Sequence, residues 1–201
     1  MASNLHLVMH GVAIKKHGEA DEIVELTGLP AAAVSHELVA AEAGGRLAAA
    51  GDKYMLSAAG QMILAGEYSR FYSDLRADDS FIEAYERFER INTQLKQLVT
   101  DWQTVELAGE RVPNTHSDSE YDDEVIGRLG DLHDRFEPVV DTLTSCEPRL
   151  AYYRNKLAGA LEKAENGEIE WVSDAKIASY HTVWFELHED LLRILGRERQ
   201  E

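Results

Sequence analysis

The chain has 201 residues, 44% hydrophobic and 28% charged, the profile of a globular protein with apolar material for one large domain or two small ones. Its 20 basic against 37 acidic residues give a formal net charge of −17, which repels phosphate backbones at long range and favours basic or neutral partners. A single cysteine, Cys146, excludes an internal disulfide and a thiolate metal site; no apolar run approaches the roughly 20 residues needed to span a bilayer. The first residues lack the basic region and apolar core of a signal peptide, so a cytoplasmic location is expected.

Asn4 to Lys16 reads as a helix with Leu5, Val8, Met9 and Val12 on one stripe, ended by His17-Gly18-Glu19. A short acidic-start helix follows, Glu19 to Leu26; Thr27-Gly28-Leu29-Pro30 forms the turn into a helix from Ala31 to about Ala43, and Gly44-Gly45 stops it. Arg46–Ala50, Gly51-Asp52 and Lys53–Leu56 read as a small hairpin, and Ser57 caps the next helix. This order, over residues 4 to about 66, resembles a winged helix-turn-helix domain, similar to those of MarR-like regulators. The helix that would enter a major groove, Ala31–Ala43, contains no Lys or Arg and carries Glu37 and Glu42, with Ser35 and His36 as its polar tips. Positive charge is limited to Lys15, Lys16, Arg46 and Lys53, so DNA is a disfavoured partner.

Ala77-Asp78-Asp79-Ser80 marks a boundary, giving domains 1–76 and 77–201 with net charges of −3 (six basic, nine acidic) and −14 (fourteen basic, twenty-eight acidic). Phe81 to about Val105 is a long amphipathic helix with Phe81, Tyr85, Phe88, Leu95 and Trp102 at helical spacing, more consistent with core than with a ligand box. Glu106 to Glu120 reads as one long polar loop. A helix from Tyr121 to about Ser145 is expected to break or bend near Pro138; Pro148 opens another that runs to about Asn166. A link with Trp171 leads to Asp174, expected to cap a last helix ending near Leu195, before a polar tail, 196–201. The fold expected is therefore mainly α, an N-terminal winged helix-turn-helix with a two-stranded wing followed by an antiparallel helical bundle.

The last helix is unusual for a core element. His181, Trp184 and His188 share one face with Phe185 beside them, while Glu186, Glu189 and Asp190 fall to sides where solvent would hold them. One reading is a pocket between this helix and the Asn114–Asp122 loop, in which a histidine, His181 or His116, is a general base, its unperturbed pKa lying near operating pH. The plainer reading is that His181 and His188 are satisfied core histidines bonded to Glu186 or Asp190. The seven-residue spacing of His181 and His188 is not that of an adjacent-turn metal pair, so no metal is expected. No glycine-rich phosphate loop, GxSxG elbow or dinucleotide fingerprint is present, so ATP is not expected to bind this chain alone.

Three segments carry a wider resemblance: Pro113-Asn114-Thr115-His116-Ser117-Asp118 with Tyr121-Asp122; Pro148-Arg149-Leu150-Ala151-Tyr152-Tyr153; and Ser179 to Leu191. With the N-terminal part they resemble the winged-helix plus helical-bundle region found beside or fused to phosphoenolpyruvate-utilising enzymes of the pyruvate phosphate dikinase and phosphoenolpyruvate synthase type. The resemblance implies a small subunit of a dikinase-like phosphotransferase, inactive alone. A larger partner would carry the ATP-grasp and phosphohistidine domains with their ATP and magnesium, and this chain would provide scaffold or acceptor site for a small, apolar or aromatic hydroxyl compound. His181 or His116 would then be the base, Arg154 the balancing cation, and Tyr180, Trp184 and Phe185, with His188 and Tyr121, would contact the acceptor. The competing readings are a ligand-responsive winged-helix transcriptional regulator with a helical sensor and dimerisation domain, and an adaptor with no pocket.

Overall fold

The computed structural model describes residues 2–107 and 109–198 and is mainly helical, with two small antiparallel sheets. Its packing forms two units: the chain through Asp79 together with the residues from Glu186 onward, and Ser80–Phe185. Residues 199–201 of the polar tail lie outside the described residues. No single described helix is long and apolar enough to cross a membrane.

In the first unit, α1 (Asn4–Lys15) starts where Ser3 accepts from the backbone N–H of His6. β1 (Gly18–Glu19) precedes α2 (Ala20–Thr27), whose start carries a reciprocal Glu19–Glu22 capping box and whose end uses Gly28 at φ +69°. After α3 (Ala31–Ala43), β2 (Leu47–Ala50) and β3 (Lys53–Leu56) form the hairpin implied by Gly51-Asp52. The strand order is β1-β3-β2, the Gly18–Glu19 strand being too short to announce itself in the sequence. Val8, Val12, Ile23, Val34, Leu38, Ala41 and Leu47 form the core between these elements.

Ser57 caps α4 (Ala58–Phe71), accepting from Gly60 N–H and donating to Gly45 C=O. Gly60 is obligatory: a Cβ there would lie 2.0 Å from the Arg46 carbonyl oxygen, a backbone atom with nowhere to go. A turn of helix, α5 (Ser73–Arg76), sends the Arg76 guanidinium to the carbonyls of Ile194 (2.6 Å) and Arg193 (3.3 Å). Both carbonyls lie in the last turn of the last helix, α10 (Tyr180–Leu195), where acceptors lack partners within the helix; that of Arg193 also accepts from Gly196 N–H at 3.2 Å.

The second unit takes α6 (Asp79–Gln103) from Ser80 onward, and this helix buries Phe81, Phe88, Leu95 and Trp102 on one face. The polar stretch after it is not one long loop. β4 (Thr104–Leu107) and β5 (Glu110–Pro113) pair in register Thr104↔Pro113 to Leu107↔Glu110, the connecting Ala108 lying outside the described residues. Val105↔Val112 is the β-branched pair, with Thr104 opposite Pro113, that the neighbouring charges obscured. Asp118 caps α7 (Ser119–Cys146), accepting from the N–H groups of Glu120 and Tyr121.

α7 is continuous for 28 residues, through Pro138. The lost hydrogen bond is tolerated because Phe136, Val139, Val140 and Leu143 are all buried, and that packing outweighs a local cost of about 3 kcal/mol. A 3₁₀ turn (Pro148–Leu150) leads into α8 (Ala151–Glu165), and Trp171 lies in α9 (Glu170–Ser173), a helical turn where a link was expected. α10 is capped by Ser179, which accepts from Thr182 N–H; Asp174, the expected cap, instead accepts from Lys176 N–H. Phe88, Phe136 and Trp184 form an aromatic core cluster with ring centroids 4.7–6.2 Å apart.

Candidate functional site

The second unit contains a groove of about 740 Å³ beside the β4–β5 hairpin. Val105, Leu107, Val112 and Pro113 give it apolar walls; the polar ones come from the carboxylates Asp101, Glu106 and Asp118, from Arg111, and from Thr104, Asn114, Thr115, Ser117 and Tyr121. Thr115 and Ser117 flank His116, whose backbone is held at φ +56°, a conformation uncommon for a residue with a Cβ. Asn114 enforces that turn: its side-chain oxygen accepts from His116 N–H at 2.9 Å, and its amide donates to Trp102 C=O and Asp122 Oδ1, both at 3.0 Å. Its backbone N–H donates to Gln103 C=O at 2.8 Å, tying the loop to the end of α6.

His116 Nδ1 lies 3.1 Å from each carboxylate oxygen of Asp122, and its ring packs on Trp102 with centroids 4.4 Å apart. An ionised carboxylate can only accept, so it places the imidazole proton on Nδ1 and leaves the Nε2 lone pair as the basic atom. Nε2 has no hydrogen-bond partner among the described residues. The His116 side chain is 29% exposed whereas Asp122 is buried at 6%. An oriented, partly accessible imidazole backed by a buried carboxylate is the arrangement of a general base.

Tyr121 helps to build the wall of the groove. Its hydroxyl donates to Asp101 C=O at 2.8 Å, and burial followed by the Asp101 charge raises its pKa. Burial alone would raise the Asp101 carboxyl, but hydrogen bonds from Arg128 and Gln97, with the Arg128 and Arg111 charges, bring it below its ordinary value.

The other residues expected at a site are placed elsewhere. Tyr180 is fully buried, its hydroxyl 3.1 Å from His133 Nδ1, and burial raises its pKa. Trp184 is buried and its indole N–H donates to the buried Asn92 Oδ1 at 3.1 Å. Phe185 is 39% exposed. His181 is half-buried without a hydrogen-bond partner among the described residues, and burial lowers its pKa. Arg154 is engaged by Glu137 and Asp141, both at 2.8 Å. His188 is buried in the first unit. Of the expected residues Tyr121 lines the groove, while His116 lies between the lining residues Thr115 and Ser117 without itself lining it; the lining includes no residue of α10.

In the first unit, Asp190 is fully buried, not solvated, with Oδ1 2.9 Å from the Nε2 of the equally buried His10; His10 Nδ1 lies 2.7 Å from the Tyr68 hydroxyl. Burial raises the Tyr68 pKa, Arg193 partly opposing it. His6 joins them, 3.1 Å from Glu67 and packed among Tyr68, Phe71 and Tyr72. Glu186 pairs with Lys15 at 2.8 Å; burial raises its pKa and the Lys15 charge offsets part of the rise. Glu186 and Asp190 thus each have a partner on α1, Lys15 and His10. The signal for this cluster was the four-residue spacing of His6 and His10 on one face of a helix otherwise apolar all round. Among the described residues, no group of three or more His, Cys, Asp or Glu side chains is placed to hold a metal ion. The chain matches no protein-family model, no curated protein and no solved structure.

Proposed function

We propose that this chain is the small subunit of a dikinase-like phosphotransferase and that the groove beside the β4–β5 hairpin takes the acceptor. The supporting observation is the Asp122-oriented His116 between groove-lining neighbours. In this reading the acceptor hydroxyl oxygen forms a bond to phosphorus as the P–N bond of a partner's phosphohistidine breaks. The hydroxyl proton passes to His116 Nε2, and the partner's imidazole leaves with the bonding electron pair. Arg111 is the groove's cation for the transferring group, since Arg154 is held by two carboxylates. Val105, Leu107, Val112 and Pro113 suit an acceptor with an apolar or aromatic body. The ATP and magnesium belong to the larger partner.

The N-terminal arrangement of helices and hairpin supports a winged-helix reading of the first unit, used here for a protein rather than for DNA. The exposed positions of α3 include Ala31, Ala32, Ser35, His36, Val39 and Ala40, without a basic residue to meet phosphate. Exposed Val39 and Met62 suit a neutral, partly apolar partner surface.

The test is to purify the chain with its partner from the native host and to follow ATP-dependent phosphoryl transfer through phosphohistidine. His116→Asn is expected to slow transfer by about 10²–10⁴-fold without loss of the complex. Full transfer by His116→Asn removes the acceptor-site role. Salt-dependent binding to duplex DNA, with no phosphotransferase partner, replaces the whole reading with the regulator.

A further inference from the structure

A second cavity, of about 530 Å³, lies wholly within the first unit and runs against the charge of the chain around it. Lys16, His17 and Arg193 line it, no carboxylate residue does, and the chain as a whole carries 37 acidic residues against 20 basic. Its remaining surface is largely apolar, with Val12, Met55 and Leu64 prominent.

Part of the cationic lining is set by the backbone. Lys16 sits at φ +63°, ψ −48°, the centre of a γ-turn closed by His17 N–H donating to Lys15 C=O at 2.7 Å. This positive-φ form is rare and strained for a residue with a side chain. Besides His116 at the groove, Lys16 is the other described non-glycine residue at positive φ. Arg193 is fixed from outside the lining: its Nε donates to Glu189 at 2.8 Å, and the Tyr68 hydroxyl is a further hydrogen-bond partner. Glu189 balances part of the Arg193 charge but presents no carboxylate to the cavity.

We infer that this cavity binds a small organic anion, a carboxylate or phosphate monoester on a compact apolar body. Lys16, His17 and Arg193 hold the charged end, and Val12, Met55 and Leu64 enclose the body. Charge-assisted hydrogen bonds supply the preference for an anion, and the apolar wall supplies the preference for a body over an inorganic ion. The inference is independent of the groove and of the phosphotransferase reading.

Benzoate, octanoate and phenyl phosphate are titrated into the full chain, each beside its neutral counterpart (benzamide, octanamide, phenol), with calorimetry and the His17 ring resonances as readouts. At least one anion is expected to bind and to shift the His17 signals, its neutral counterpart binding at least about tenfold more weakly. Lys16→Gln is expected to weaken the anion by about fivefold or more at unchanged melting temperature. Ala65→Phe, which fills the cavity from an exposed position on α4, abolishes binding, while Arg111→Gln in the groove leaves it unchanged. Absence of binding by all three anions at millimolar concentration, equal binding of the neutral compounds, or full binding by folded Ala65→Phe overturns the proposal.

Discussion

Two histidine–aspartate pairs among the described residues have nearly the same length and opposite setting. His10–Asp190 in the first unit is sealed, with both side chains at 0% exposure and the second ring nitrogen of His10 against Tyr68. His116–Asp122 in the second unit is open on the histidine side, at 29%, with no partner for its second nitrogen among the described residues. Both pairs set an imidazole nitrogen against a carboxylate, Nε2 in His10 and Nδ1 in His116, and they differ in solvent access and in the occupant of the other nitrogen. A sealed pair ties two helices together; an open pair beside a positive-φ turn leaves its imidazole partly accessible to solvent.

The largest expected effect sharpens the structural half. His10→Leu leaves the Asp190 carboxylate buried without the imidazole and is expected to cost about 3–5 kcal/mol in urea unfolding. Adding Asp190→Leu should recover much of that loss, because two apolar side chains need no mutual compensation. A cost below about 1 kcal/mol for His10→Leu would mean that the sealed pair does not hold the first unit together. The same experiment at the open pair should give a small number: His116→Asn is expected to cost about 1 kcal/mol or less, because the ring is partly solvated. A loss as large as that of His10→Leu would make His116 a structural residue and erase the distinction.

The strained turns give a subtler contrast. Lys16→Gly relieves a positive φ and is expected to stabilise the chain by about 0.5–1 kcal/mol, read as a raised melting temperature. His116→Gly relieves the same kind of strain but forfeits the imidazole–Asp122 bond and the ring packing on Trp102, so it should show no gain. The smallest effect concerns the half-buried His181, whose pKa is lowered in the folded chain by burial. Its neutral form is the one the fold accepts, so its contribution is fully present above the ordinary histidine pKa of about 6.5 and is lost as pH falls through the folded value. His181→Leu should flatten the pH dependence of stability over that acid range, read by urea unfolding at a series of pH values.

Much of the helical layout is legible from local signals: apolar spacing in α6 and α7, glycine stops at Gly28 and Gly44, the Gly51-Asp52 turn, and Ser57 as a cap. The misread elements are those whose partners are remote. Gly18–Glu19 is a strand only because Lys53 and Tyr54 lie beside it, and β4–β5 pairs through Val105 and Val112 within a run of charges. Pro138 continues a helix because neighbouring apolar residues are buried on its core side.

The two sites divide the same way. His116 stands out in the sequence as a polar residue in a long connection and Tyr121 at the start of the helix after it, and the groove includes Tyr121 and the neighbours of His116. The importance of Asp122, Asn114 and Trp102 depends on a turn that folds three separate segments onto one imidazole. Asp190 looked solvated from its own helix, because helical periodicity describes one element and says nothing of what approaches it. His10, 180 positions earlier, converts that side of α10 into interior.

By itself, the sequence determines composition, charge and the apolar faces, because these depend on residue identity and on spacings shorter than two helical turns. Only the tertiary structure decides which of the histidines is sealed and which is open. A pKa, a tautomer or an accessible lone pair is set by the groups that long-range folding brings within about 3 Å, and no local pattern carries that information.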